Sequence, residues 1–552
     1  MMKRLLNISK KRKNLITFLF FFVFPFIGSG YHYAINDLKE NETDNTRNYT
    51  RQQILNELEE EHPSLYSSSY KALIADLYSK NNFSPLWTKG FSPNNSAHQL
   101  MDIAEKAANY GLTATSFNVE KIQRLFEKMA GAKNIDRLTK LRLQCEFLMS
   151  ESAIKVLIQL KKGVHYSDTV NLQNGQNHFL NAVPSLINVA LHTTNFKYEF
   201  LSNQPYRVDY ALLQKGLERF LTNVQINDHR VEFTGIKNDS AMLRETVAAI
   251  LKAYGFLKSA TVADSTYLHA IKGFQRLHNL DDNGELDNKT LRALERSTLD
   301  HYKQAAVAME RMRREEIESD MYLLVNIPGF KLNIVENNKL QDVYLVQVGR
   351  PESPTPVLTS QLMHIVTNPK WYVPKSISTK EMLHSIRKDS TYLKSRNFKL
   401  LAKNNLKEID YKSVNWESVH ESNFNYVIQQ DPGNGNALGN VKFLFPNQYS
   451  VYLHDTPSKS HFNKKYRAYS HGCIRLHNPE KLADYLINKT GYAQLASVKG
   501  PINRKETKTI EISKPVDVFL RYYTCIGDEN GDLTFYEDIY GLDHVIEKEI
   551  FN

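Results

Sequence analysis

The sequence predicts a multidomain α+β protein: a helical scaffold domain, a small three-helix module and a mostly-β C-terminal domain with an inserted helical cap. Three observations predict it. A chain of 552 residues is too long for one compact core. From about residue 65 to 235, apolar residues recur at spacings of three and four, as along one helix face. From residue 321 the texture changes to alternating, β-branched runs bounded by turn residues.

The first 30 residues predict an export signal. Lys3, Arg4, Lys10, Lys11, Arg12 and Lys13 come with no acid among them, and an apolar run from Leu15 to Ile27 follows. That run is short of the ~20 residues that span a bilayer and fits a signal peptide. Gly28 and Gly30 place small residues before a cut at Tyr31; an uncleaved signal anchor is the alternative. Either way the rest of the chain is exported. Residues 31–60 are polar and read as a linker. The formal net charge is +10, and those six basic residues leave about +4 for the exported part, too little to predict a nucleic-acid partner.

Residues 61–239 form the helical scaffold. "SYKALIADLYSKN", "SAHQLMDIAEKAANYGL" and "ESAIKVLIQLKKG" are amphipathic, with Gly111 and Gly163 where C-terminal caps belong. Residues 240–298 hold three short helices. In the second, Leu268, Ile271, Phe274 and Leu277 share a side; the third is expected to be capped by Asn288. Between them, "DDNGELD" is a turn, and its ligand alternation stops too soon for a calcium loop. This unit resembles the small peptidoglycan-binding modules through Gly255, Phe274, Gln275, Leu280, Asp282, Gly284, Thr290 and Leu294, although Asp282-Asn283-Gly284 replaces a plain Asp-Gly. The resemblance implies that Phe274, Gln275, Asp282 and Gly284 serve the module.

Residues 299–320 continue as a connecting helix. The β domain then runs from 321 to 552, with a helical, basic, loop-rich stretch at about 375–420 that reads as a cap over the chemistry.

The three cysteines, Cys145, Cys473 and Cys525, show no disulfide framework, and an odd count leaves at least one without an intramolecular partner. Cys145 falls in a helical pattern and Cys525 ends a strand-like run, so both read as core. Cys473 stands in "YSHGCIRLHNPEKL", a polar, glycine-containing stretch suited to a reactive thiol. Nineteen residues earlier, "VYLHDTP" reads as a strand with Val451 and Leu453 inward and Tyr452 and His454 on the other face. His454 can take the thiol proton and return it to a leaving amine. The Tyr452 hydroxyl and the Gly472 and Cys473 amides can meet an oxyanion, with Gly472 making the turn. Arg475 is expected on the same side as Cys473, within reach of a carboxylate. Cys473, His454, His461, His471 and His477 also make a zinc site conceivable, but no paired ligand motif is found. A buried cysteine or a disulfide to Cys145 or Cys525 stays open at this level. "HNPEKLADYL" reads as the start of a helix, with Asn478 as N-cap and Pro479 first.

"VYLHDTP" with "SHGCIRL" resembles the signature of the L,D-transpeptidases, whose catalytic domain is of the YkuD type. "VNIPGFKLNIVENN", "VGRPESPTP", "NPKWYVP", "PGNGNALGNVKFLFPN", "NNFSPLW" and "ANYGLTATSF" extend the likeness to the large YcbB-like subgroup; "ERMRRE" departs from it where tryptophans are frequent. The resemblance implies Cys473 as nucleophile, His454 as general base and acid, and Tyr452, Gly472 and His471 at the oxyanion and its turn. Arg475, Ser470 and Trp371 then contact substrate. It further implies a periplasmic enzyme without cofactor that joins peptidoglycan stem peptides by 3→3 crosslinks, from a tetrapeptide donor to a diamino-acid acceptor, and that carbapenems acylate. Implied partners are glycan strands at the binding module and the inner membrane at the N-terminal segment. Alternatives are L,D-carboxypeptidase action, lipoprotein attachment, or a non-catalytic wall-binding scaffold.

Overall fold

A computed structural model describes residues 44–60, 64–169, 178–236, 238–490 and 497–551. The export segment lies outside the described residues. Among these, no helix is long and apolar enough to cross a membrane.

The scaffold is built around one long helix, Ile135–Lys162, buried on most of its circumference and ended by Gly163 at φ +91°. Part of the expected linker differs from its reading: Asp44–Glu59 is a helix. Its Thr50, Ile54 and Leu58 recur every four residues and are buried, a one-residue-wide stripe that a polar sequence conceals.

The three-helix module comprises Ser240–Ala253, Asp264–Leu277 and Asn288–Glu295. Two expectations are corrected. The third helix is capped by Asp287, which accepts from the Thr290 amide, and Asn288 is already helical. In the second helix the buried face is Tyr267, Ala270, Ile271 and Phe274, while Leu268 is 43% exposed. Gln275 is buried and clamps the turn: its Oε1 accepts from the Gly284 amide at 2.8 Å and its Nε2 donates to Glu285 O at 2.8 Å. Gly284, at φ +84°, has no room for a Cβ, which would meet Leu268 Cδ1 at 2.2 Å. Phe274 and Gln275 therefore shape the module and are too buried to offer a glycan a surface, whereas Asp282 is exposed and pairs with Arg276 at 3.4 Å.

The connecting helix, Thr298–Arg313, is the hub of the molecule. Its buried Glu310 accepts from the scaffold's Val164 amide at 2.8 Å. Its Gln304 donates to Thr524 O at 2.7 Å and Tyr536 O at 2.8 Å in the β domain.

The main sheet contains β1 (Met321–Asn326), β2 (Lys331–Glu336), β3 (Lys339–Gly349), β4 (Leu358–Thr367), β5 (Val441–Leu444), β6 (Leu453–His454), β7 (Ala468–Ser470), β8 (Ile474–Leu476) and β9 (Lys508–Arg521). Pairing runs β3-β8-β6-β5-β4-β9-β1-β2 and closes back on β3, with β7 added beside β3. Leu323, Ile365, Leu453, Ile474 and Val518 fill its interior.

The cap leaves the sheet after Thr367 and returns at Val441, two residues that face each other across the β4–β5 ladder. It is more than the helical insertion expected. Besides short helices it has its own antiparallel sheet, ordered Trp371–Tyr372, Tyr426–Gln430, Phe398–Ala402, Glu408–Ile409. It also has its own core, with Met382, Leu383, Ile386, Leu393 and Phe398.

Candidate active site

The parallel pairing of β6 with β8 builds the site. Leu453 faces Ile474 and His454 faces Arg475, so the Cys473 turn is carried back beside the strand that holds His454. Val451 and Leu453 enter the core, and the Tyr452 and His454 rings lie 5.6 Å apart on the other face.

Gly472 at φ +109° makes the turn before Cys473, a conformation that L side chains rarely adopt. Ser470 locks it: its hydroxyl donates to Cys473 O at 2.5 Å and accepts from the Gly472 amide at 3.1 Å. This corrects one expected role. The Gly472 N–H is taken by Ser470 and is not available to an oxyanion. Thr355 braces the turn from outside, its hydroxyl donating to Gly472 O at 2.8 Å.

His454 Nδ1 lies 2.5 Å from Asp455 O. A carbonyl can only accept, so Nδ1 carries the proton and Nε2 is the basic atom. Burial, then the Arg475 charge, push the His454 pKa down to about 3. Burial raises the Cys473 pKa, against the lowering effects of Tyr452, Lys442 and Arg475. Burial thus favours the uncharged form of both side chains. All three cysteines are free, with Cys145 and Cys525 buried.

Cys473 and His454 open into a cleft of about 680 Å³ between the main sheet and the cap. Tyr452, Ser470, His471 and Arg475 line the sheet side, and Trp371 and Glu381 line the cap side. Trp371 donates to the Tyr452 hydroxyl oxygen, and burial raises the Tyr452 pKa, so the phenol keeps its proton. Arg475 Nη1 is fixed by Gln347 Oε1 at 3.4 Å. His461 and His477 pack on Tyr469 and Phe462 and do not line the cleft. Asn478 stands before Pro479, the first residue of the helix Pro479–Thr490.

Residues 320–505 match the L,D-transpeptidase catalytic domain of the YkuD family, residues 72–217 a scaffold domain, and residues 243–294 a "Putative peptidoglycan binding domain". A Haemophilus influenzae protein described as "Putative L,D-transpeptidase" is 26% identical over 480 residues, 86% of this chain and 79% of that protein. The chain thus carries an L,D-transpeptidase catalytic domain. A peptidoglycan-binding domain beside an L,D-transpeptidase domain points to peptidoglycan as the substrate.

Two features of the site escape sequence reasoning. Lys442, opposite His454 on β5, holds its ammonium 3.8 Å over the Tyr452 ring, and burial lowers its pKa while Cys473 works to raise it. Nothing in "VKFLF" signals this; only the β5–β6 register does. On the cap, Glu381 Oε1 lies 2.5 Å from His471 Nε2 and 2.9 Å from Arg350 Nη2. His471 lies in the turn before Cys473, as expected, and its side chain reaches across the cleft to the cap.

Proposed function

We propose that this chain is an exported transpeptidase that forms 3→3 crosslinks in periplasmic peptidoglycan through a Cys473 thioester. The observation that carries this reading is a free, cleft-lining Cys473 in the turn that enters the strand paired with His454's own, His454 having its Nδ1–H tied to Asp455 O and its Nε2 left basic.

In the first half-reaction His454 Nε2 takes the thiol proton as sulfur attacks the carbonyl of the third stem residue. The carbonyl electron pair moves onto oxygen, where the Tyr452 hydroxyl donates to it. The pair returns, the C–N bond breaks, and D-Ala leaves as an amine carrying the proton from His454. In the second half-reaction the side-chain amine of an acceptor stem attacks the thioester. Its proton passes to His454 and then to sulfur as the C–S bond breaks. Substrate and product thus alternate on one thiol, which gives ping-pong kinetics.

The test is mass spectrometry of muropeptides from purified full chain and a tetrapeptide donor, with wild type beside Cys473→Ala. The expected result is a 3→3 dimer and free D-Ala from wild type and neither from the variant. Dimer from Cys473→Ala, or tripeptide alone from wild type, would overturn the reading. A carbapenem is expected to add one adduct, at Cys473, in the intact mass.

A further inference from the structure

The proposed chemistry requires an acceptor amine, and at neutral pH that amine arrives as an ammonium. A site that holds it needs a carboxylate near the thioester. Among the described residues that line the cleft, Glu381 is the one carboxylate; the arginines that line it are Arg396, also on the cap, and Arg475. Glu381 sits in the turn of π-helix Ser378–Met382 on the cap, and it is bonded to His471, two residues before Cys473. The carboxylate is therefore positioned from both sides of the cleft.

Its bonding leaves capacity. His471 Nε2 and Arg350 Nη2 both fall on Oε1, and Oε2 takes no partner among the described residues. Arg350 does not line the cleft, so the cation that pairs with Glu381 stands off the path of the substrate. Burial works to raise the Glu381 pKa, but the bonds from His471 and Arg350 outweigh it and hold the carboxyl below its usual value, charged at neutral pH. A carboxylate accepts two or more hydrogen bonds per oxygen pair, so an ammonium can be added without displacing His471.

We infer that Glu381 is the acceptor site of this enzyme: Oε2 holds the ammonium of the incoming diamino-acid side chain next to the acyl-thioester at Cys473. This rests on the crosslinking reading above and goes further, because it assigns the choice between amine and water as acceptor to a residue of the cap. The bound ammonium releases one proton to water. The free amine then attacks the thioester carbon, its second proton passes through His454 Nε2 to sulfur, and the C–S bond breaks. Water needs no such anion, so hydrolysis does not depend on Glu381.

The test uses the full chain with Glu381→Gln, which keeps the shape and removes the charge. Three quantities are read: carbapenem adduct formation at Cys473, the first-turnover burst of D-Ala from the tetrapeptide, and the ratio of crosslinked dimer to hydrolysed tripeptide. Adduct formation and the first-turnover burst of D-Ala are expected to stay within about twofold of wild type, while the dimer-to-tripeptide ratio falls by roughly tenfold or more, the size of a lost charge-assisted bond. Hydroxylamine, an acceptor that is neutral at pH 7, is expected to be used equally by both proteins. An unchanged dimer-to-tripeptide ratio overturns the inference, and so does a Glu381→Gln protein that no longer acylates, since the residue would then act on the donor step. If wild type itself gives no dimer, the crosslinking reading fails first, and the two failures are separate results.

Discussion

His454 and His278 are both buried imidazoles whose pKa burial pushes down to about 3, and they sit in different units of the molecule. His278 ends the second helix of the binding module. It packs 4.2 Å from the Phe274 ring, 4.5 Å from His301 and 5.6 Å from Phe535 of the β domain. Its Nε2 is buried with no hydrogen-bond partner among the described residues. His454 is as deeply buried, yet its Nδ1 is tied to a backbone carbonyl and the residue borders the cleft that holds Cys473. A depressed pKa therefore marks burial in both; what separates a base from a packing ring is whether its lone pair meets a cavity with a proton to take.

The largest expected effect falls on the cleft side of this comparison. His454→Gln should lower D-Ala release by about 10²–10⁴-fold, the usual weight of a general base, with thermal unfolding little changed. Steady-state release from a tetrapeptide donor measures it, and a variant retaining most of its rate would reduce His454 to the status of His278.

Lys442→Met tests how a buried pair begins to react. Removing the cation over Tyr452 should shift the pH profile of Cys473 alkylation by iodoacetamide to higher pH and slow acylation roughly tenfold, equivalent to one pKa unit. A profile identical to wild type would exclude Lys442 from the field at sulfur.

The smallest effect belongs to the module junction. The folded pKa of His278 is about 3 against 6.5 unfolded, so on lowering the pH the unfolded chain takes the proton first. Stability is thus full above about 6.5 and is lost as pH falls toward 3, and His301 and His454, lowered in the same direction, add to the slope. His278→Phe should flatten this decline without changing D-Ala release at neutral pH. Urea midpoints measured across that range decide it; an unaltered slope would mean that the protonation of His278 is accommodated without loss of packing.

The helical half, the β half and the Cys473–His454 pair are legible because each depends on local pattern: periods of four and two, a turn glycine, a strand end. What is not legible depends on pairs distant in sequence. The strand Phe398–Ala402 has adjacent leucines facing neither a clear core nor solvent by period, and only its pairing with Tyr426–Gln430 makes it a strand. Lys442 and Glu381 are ordinary charges until a ladder and a cap bring them to Tyr452 and His471. The Gly472 amide, open to an oxyanion by sequence, is closed by a hydroxyl two residues away, because Ser470 turns inward.

The cap joins the sheet at Thr367 and Val441, and those two residues already face each other. Topologically it is one hairpin loop grown until it acquired a core, and the entropy of closing a loop rises only slowly with its length. Such a cassette can be exchanged, trimmed or lengthened without shifting the register that sets Cys473 beside His454. The strands that carry Cys473 and His454 and the cap that faces them are thus anchored separately, one by a closed sheet and the other by two adjacent points of attachment.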